Sequence, residues 1–495
     1  MKPKSVLALD IGTSSVRASL FDRRGRPIPG ADAQISYDNV TTADGGVYVD
    51  AETLLNISVT VAARAASSAA ANDTEIAGVG ISCFWHSLVG AGADNRAITP
   101  VYSWADTRSA RYAADLRASL DEGAYHARTG CVFHPSYWPA KLRWLEAEHS
   151  ALFSRVVRWM SFGEYLLLRV FGQSGCSLSM AAGTGLFDPN RAAWDPESFT
   201  LAPIRAEQLL PLVDRTDPVA NATPEFARAL GSLAALPWFP AVGDGACSNI
   251  GSGAFSQERI AINVGTSGAM RVAVEAGSVD IPDGLFCYRI DSGRFLVGGA
   301  VSCAGNVHAW QQEQLRLPDG SAMSRSLAAM APDAHGLTVL PFWAGERSPG
   351  WHTSARATIA GMNLNTTSLD IARASHEAVA YTFASILDRL RSRFPNAREI
   401  VASGGAVRRN PAWVKIMADV FGAPVRISEI AEASSRGAAL MALDGAGLID
   451  GLGNAPAYLG RTFEPDPAHH EVYEKARERY GRLYDMVLNG FDAGE

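Results

Sequence analysis

Two carboxylates in this sequence stand in settings that could do chemistry. Asp10 lies in "LALDIGTSSVRASLFD" (7–22), just ahead of Gly12, Thr13, Ser14 and Ser15. The apolar stretches on either side, Val6–Leu9 and Val16–Phe21, read as strands, with Gly-Thr-Ser as the turn between them. Such a turn exposes backbone N–H groups, and Thr and Ser add hydroxyl donors. It either closes a hairpin and does nothing more, or it cradles a phosphate with the nearby carboxylate suited to the accompanying metal. Asp244 lies in "GDGACSNIGSGA" (243–254), between two glycines. It reads as a tight Gly-Asp-Gly turn, or as an exposed general base. Phosphoryl transfer needs a carboxylate within reach of the attacking hydroxyl and little other covalent help.

The opening stretch recurs. "IAINVGTSGAMRVAVE" (260–275) places Gly265, Thr266 and Ser267 where the first stretch has Gly12, Thr13 and Ser14. The offset is 265 − 12 = 253 residues in a chain of 495, far beyond a solenoid period. Each copy is followed by an arginine, Arg17 and Arg271, and another apolar run. The repeat implies two related domains, each presenting one hairpin. Facing each other, the hairpins would clamp a nucleoside triphosphate in the cleft between them.

The first half also carries residues suited to a polyol. "SCFWHSLVG" (82–90) sets Trp85 and His86 after a strand, and "YSWADTRSARYA" (102–113) gathers Trp104, Asp106 and Arg108. "GCVFHPSYW" (130–138) adds His134 and Tyr137, with Lys141 following. Flat apolar faces with directional hydrogen bonds suit a sugar, though each residue is equally at home in a folded core. Arg108 either takes a substrate carboxylate or pairs with Asp106. "ASGGAVRRNPAW" (402–413) is strand, Gly404-Gly405, helix, where a backbone can approach a flat ligand or a phosphate. It is not a GxGxxG, and the chain has no GxxxxGK[ST], which disfavours Rossmann and Walker-type sites.

The elements that must position these residues follow from length and pattern. A chain of 495 residues exceeds one core. The glycine-rich 242–256 stretch gives the expected division into 1–245 and 246–495. The fold class is α/β, with strand-like and helix-like segments alternating. "GVGIS" (78–82) and "EIVASGG" (399–405) read as strands. Segments 106–120, 139–153 (Leu142, Leu145 and Leu152 inward), 368–394 (Ser368 as N-cap), 411–422 and 470–490 read as helices. The net charge of −7 argues against nucleic acid and anionic membrane partners. No apolar run approaches the ~20 residues of a membrane span. Six scattered cysteines without a CxxC pair fit a reducing cytoplasm rather than zinc or disulfides.

Taken together, these motifs resemble the FGGY family of carbohydrate kinases over essentially the whole chain. The resemblance rests on "ALDIGTSSVRASLFD", "GDGACSNIGSGA", "INVGTSGAMRV", "PFWAGERSPGW", "RATIAGMNL", "ASGGAVRRNPAWVKIMADVFGAPV" and "SSRGAALMAL", in that order. It implies two actin-like (ribonuclease H-like) ATPase domains with an interdomain catalytic cleft. It also implies phosphorylation of a sugar or polyol hydroxyl by ATP with Mg2+. By resemblance, Asp10 lies near the metal. Gly12, Thr13, Ser14, Ser15 and Arg17 belong to the first phosphate hairpin, and Gly265, Thr266 and Ser267 to the second. Gly305, Gly404 and Gly405 flank the adenosine, and Asp244 is the proton acceptor. Trp85, His86, Trp104, Asp106, Arg108 and His134 are the expected substrate contacts. "HSLVG", "ITPVYSWADTRSA", "TGCVFHP" and "VGTSGAMR" are most similar to the gluconokinase branch, implying D-gluconate to 6-phosphogluconate. Gly245 follows the catalytic Asp where xylulokinases and glycerol kinases usually carry Asn or Gln. Trp85, Trp138 and His376 depart from the family pattern, the first two near the expected sugar pocket. A xylulose or other pentulose or polyol kinase is the alternative. A non-catalytic actin-like ATP-binding module and a regulatory pseudo-kinase are the alternatives of another class. Oligomeric state stays open, a homodimer included.

Overall fold

Two sheets carry the architecture, and they repeat one topology. In the computed structural model, which describes residues 2–69, 72–318 and 320–489, the first sheet is built from β1 (Lys4–Ile11), β2 (Ser15–Phe21), β3 (Pro27–Ser36), β4 (Glu75–Cys83) and β5 (Val242–Gly243). Its order is β5-β4-β1-β2-β3. The second sheet comprises β6 (Arg259–Val264), β7 (Gly268–Glu275), β8 (Phe286–Arg289), β9 (Arg294–Val301), β10 (Glu399–Ser403), β11 (Val425–Ser428) and β12 (Leu459–Phe463). Its order is β8-β9-β7-β6-β10-β11-β12. In each, an antiparallel hairpin (β1–β2, β6–β7) continues into a third antiparallel strand, and the hairpin's first strand pairs in parallel with a later one (β4, β10). The internal repeat seen in the sequence is therefore a repeat of fold. β1 reads Val-Leu-Ala-Leu and is buried on both faces, as a central strand in parallel pairing must be.

The helices follow the expected spacing with shifted ends. α1 (Ala51–Ser67) covers the first sheet and is capped by Asp50, whose side chain accepts from Thr53 N. α2 (Asp244–Gly251) begins at the candidate base, and α3 (Gly305–Gln314) follows β9. α4 (Ser368–Arg393) is capped by Thr367 rather than Ser368, in a reciprocal box with Asp370. α5 (Pro411–Phe421) opens on proline and stops at left-handed Gly422, as read. The 139–153 segment breaks at His149 into Trp138–Glu148 and Ser150–Phe153, so Leu152 is only half-buried. The 106–120 segment turns helical only at Ala110. The terminal helix starts at Pro467, capped by Asp466, and its expected end at Gly490 lies outside the described residues.

α6 (Ala433–Gly445) crosses back to the first sheet and packs on β1, β4 and α2. Ala438, Ala439, Leu440, Ala442 and Leu443 thereby join the first core. The α2–α6 crossing is close. A Cβ on Gly437 would lie 1.9 Å from the Cys247 carbonyl oxygen, and one on Gly251 1.8 Å from that of Ala433. Arg436 is fully buried and donates to the carbonyls of Gly25, Gly251 and Pro456, tying the β2–β3 turn, the end of α2 and the C-terminal segment together. The expected division at 245/246 falls inside α2. All six cysteines are unpaired and buried. Among the described residues no helix is long and apolar enough to cross a membrane.

Candidate active site

A cavity of about 390 Å³ opens between the two sheets, and residues of both hairpins line it: Gly12, Thr13 and Ser14 from the first, Ser267 and Gly268 from the second. The first turn is pinned from behind. Tyr37 Oη donates to the Gly12 carbonyl, Asn39 Nδ2 to that of Thr13, and Tyr37 N to that of Ser14. The second is pinned by α3, where Gly305 N and Asn306 N donate to the Gly265 and Thr266 carbonyls, both at 3.0 Å. Gly404, at φ +101°, passes so near that a Cβ would sit 2.4 Å from the Val264 carbonyl oxygen. Gly305 and Gly404 thus brace the second hairpin. They do not line the cavity, and neither do Ser15, Gly265, Thr266 or Gly405.

The two hairpins are not identical. Four residues separate the pair Ile11–Val16, and three separate Val264–Gly268. Arg17 therefore stands opposite Asp10, whereas Arg271 stands opposite Ala261, two residues beyond the partner of Asn263. The arginines that the sequence set in parallel have parted company. Arg17 pairs with Glu432 and donates to Gln34 outside the cavity, while Arg271 lines it.

Asp10 sits beneath the first turn and accepts 3.0 Å from Ser435 Oγ on α6. Burial pushes its pKa up to about 6, the nearby hydroxyls of Ser82 and Ser435 oppose this, and the charges of Asp244 and Glu432 add to the rise. Asp244 heads α2 and lines the cavity. Burial raises its pKa, with Arg271 the largest opposing influence, followed by the backbone N–H groups of Trp85 and Gly245. The expected tight turn is absent here: Gly243 is the N-cap and Asp244 the first residue of the helix. The flanking glycines serve Trp85. A Cβ on Gly243 would meet its ring at 1.9 Å, and one on Gly245 at 2.6 Å. The Trp85 indole N–H donates to Ser179 O at 2.9 Å.

Of the other expected contacts, Trp85, His86 and Trp104 line the cavity. His86 holds φ +65°, and its Nδ1 lies 2.6 Å from the Gly183 carbonyl. Nδ1 must therefore carry the proton, leaving Nε2 as an acceptor. Burial lowers its pKa to about 3, so the ring is neutral. His134 stands behind the lining, its ring 5.4 Å from that of Trp351, and burial likewise keeps it neutral. Asp106 and Arg108 do not reach the cavity. Arg108 forks onto Asp106 at 2.6 and 3.1 Å and stacks over Trp144. Of the two readings of Arg108, the geometry takes the local pair. Lys141 donates to the Pro135 and Ser136 carbonyls. Trp138 lies in a separate core, its indole N–H on Ser87 O, and His376 packs against Trp413.

Sequence reasoning named Tyr137 but passed over several other lining residues. Tyr288 is one of these, and it meets Tyr137 across the two halves, hydroxyl to hydroxyl, at 2.6 Å. Trp351 and Arg347 come from "PFWAGERSPGW", quoted as a motif without a role for either. Arg271 was visible only as part of the repeat.

Two lobes of one repeated topology, with paired hairpins and a carboxylate in the cavity between them, define a two-domain, actin-like kinase. The chain belongs to the FGGY family of carbohydrate kinases: residues 5–251 match its N-terminal domain and 260–445 its C-terminal domain. It is similar to the gluconokinase of Bacillus subtilis (strain 168), with 25% identity over 98% of this chain and 95% of that one. Glycerol kinase 1 of Pseudomonas aeruginosa is 29% identical over 97% and 96%. Among solved structures, a gluconate kinase and a ligand-bound xylulose kinase, both from Lactobacillus acidophilus, each superpose with a TM-score of 0.91 at 25% identity. Each match covers 99% of this chain and 100% of the other. The protein is thus a phosphotransferase acting on a small sugar-like molecule, and kinases of this family use ATP as the phosphate donor.

Proposed function

We propose that this kinase phosphorylates a sugar acid, D-gluconate to 6-phosphogluconate, with Asp244 as general base. The observation that carries the catalytic part is the Asp244 carboxylate in the cavity wall, its proton affinity raised by burial, with both hairpins lining the same space. A raised carboxylate pKa suits a base that takes a hydroxyl proton and must hold it through transfer. Arg271 beside it keeps the ionised form accessible. The His86 Nε2 acceptor and the Trp85, Trp104 and Trp351 faces suit a polyhydroxylated chain. The Tyr137–Tyr288 bridge joins the lobes at the cavity wall, where it would help exclude water.

Asp10 fits a divalent cation. It is half-buried close to Asp244, whose charge raises its pKa, and a cation there would favour the ionised form of both carboxylates. Mg2+ bound there would neutralise charge on the donor's phosphates. Thr13, Ser14 and Ser267, with the backbone of the two turns, are the groups for phosphate oxygens, and Gly305, Gly404 and Gly405 lie on the nucleoside side.

Gluconate is supported by the gluconokinase and gluconate kinase relatives, which match nearly end to end. Xylulose, supported by the equally similar xylulose kinase structure, is the second reading. A coupled ADP-release assay across gluconate, xylulose, ribulose, glycerol and erythritol tests the proposal. Gluconate is expected to give the highest kcat/KM; a preference for any of the others removes it.

A further inference from the structure

The cavity holds more positive charge than its own residues answer. Arg271, on β7, and Arg347, in the loop before Trp351, both line it. The Arg271 guanidinium lies over Gly245, where a Cβ would come within 2.9 Å of its Cζ. Its Nε is buried, and no hydrogen bond reaches it among the described residues. Arg347 donates from Nη2 to Val301 O at 3.0 Å and stacks 5.3 Å from the Trp104 ring centre, but its Nε is also buried and unpartnered. Asp244 is the one carboxylate among the lining residues. His86 and His134 are neutral, Lys141 is turned onto two carbonyls, and Arg108 is spent on Asp106. Two guanidinium groups against one carboxylate leave about one charge without a counter-charge among the lining residues, and an anionic ligand would answer it.

We propose that Arg271 and Arg347 are the specificity-determining pair of this site, together taking the carboxylate of a sugar-acid substrate while a hydroxyl further along the chain meets Asp244. The inference rests on the gluconate reading and gives it a residue basis. Guanidinium groups suit a planar carboxylate because two parallel N–H donors match its two oxygens. The transferred phosphate is the other anion this site must meet. The surroundings of Arg347 favour the carboxylate: its guanidinium sits over the Trp104 ring, one of the flat faces suited to a sugar, and its hydrogen-bond partner is the Val301 carbonyl rather than a hairpin turn.

The test compares gluconate with gluconamide, its uncharged isostere, on the wild type and on Arg271→Met, Arg347→Met and Arg347→Lys. kcat/KM and the KM for ATP are measured for each, with calorimetric gluconate binding in the absence of ATP. Wild type should favour gluconate about ten- to a hundredfold, the range for a charge-assisted hydrogen bond. Arg347→Met should lose about that factor on gluconate, mainly in KM, and much less on gluconamide. Arg271→Met should show the same difference in KM on top of a fall in kcat common to both substrates, because Arg271 also favours ionised Asp244. Arg347→Lys should recover part of it, which excludes misfolding as the cause. Equal losses on both substrates, or a raised KM for ATP with gluconate binding unchanged, overturn the assignment and give the arginines to the phosphoryl group. A wild type that turns over only neutral sugars overturns the gluconate reading itself, an outcome separable from active gluconate turnover that ignores the arginines.

Discussion

Ser435 Oγ donates a 3.0 Å hydrogen bond to Asp10 Oδ2 across 425 positions of sequence. Its neighbours act in the same place: Ser434 Oγ donates to the Asp244 carbonyl, and Arg436 holds the end of α2. The start of α6 thus touches the segments of both candidate catalytic carboxylates. Ser435→Ala removes a bond that favours the ionised form of Asp10. The Mg2+ concentration for half-maximal rate should rise about tenfold or more, as expected for a bond to a charged group worth about 1.5–3 kcal/mol. Titration of initial rate with Mg2+ at saturating ATP and sugar decides it; an unchanged midpoint would remove Asp10 from the metal site.

Asp244→Asn should lower kcat by about 10² to 10⁴ while leaving ATP binding nearly intact. The working form of Asp244 is ionised, and burial raises its pKa. Wild-type kcat/KM should therefore fall as pH is lowered, with a midpoint above the ordinary carboxylate range. At saturating Mg2+, which holds Asp10 ionised, the residual rate of the Asp244→Asn variant should lack that acid limb. Near-native turnover by the same variant would end the base assignment.

Arg108→Met should leave the preference between gluconate and xylulose unchanged and lower stability instead. Asp106 is buried and pairs with Arg108 while accepting from Val47 N. Without its partner it becomes an unpaired buried carboxylate, a loss of about 3 kcal/mol. Denaturant unfolding measures the second effect and substrate kinetics the first. A selective rise in the KM for gluconate would return Arg108 to the site.

Glu346 neighbours Arg347 but is turned the other way, accepting from Tyr484 Oη and Gly350 N. Burial raises its pKa from 4.5 to about 7. The folded state therefore binds the proton more tightly than the unfolded chain. Its contribution is most favourable below pH 4.5 and declines as pH rises toward 7. Glu346→Gln removes that decline. The variant should be more stable than wild type by about 1–3 kcal/mol at pH 8, with little gain at pH 5. Thermal unfolding at the two pH values tests this, and an equal shift at both would show that ionisation is not the cause.

The hairpins and Asp244 were legible because their chemistry is local: a glycine turn with hydroxyls, and a carboxylate between small residues. The doubled topology was legible for the same reason, since the repeat preserves Gly-Thr-Ser after an apolar strand. Arg271 and Arg347 were not. What distinguishes them is the absence of a partner in space, and an arginine's partners are not written beside it. Arg108 shows the converse. Its partner stands two residues away, yet "Trp-Ala-Asp-Thr-Arg" reads equally well as a ligand kit, and only the fork onto Asp106 and the stack on Trp144 decide. The glycines around Asp244 read as a turn because the Trp85 ring that needs their bare backbone lies far upstream.

The return of α6 to the first sheet bears on how the molecule is made. Synthesis completes that sheet at Gly243, but Leu440 and Leu443, which cover it, emerge only after all but one strand of the second sheet. Until then a nascent chain carries an apolar face on β1 and β4 with nothing to shield it, and a holding chaperone would find its substrate there. The same geometry governs dissection of the gene. A fragment ending near residue 251 keeps the first hairpin and Asp244 yet lacks part of its own core, the layer that residues 433–455 contribute.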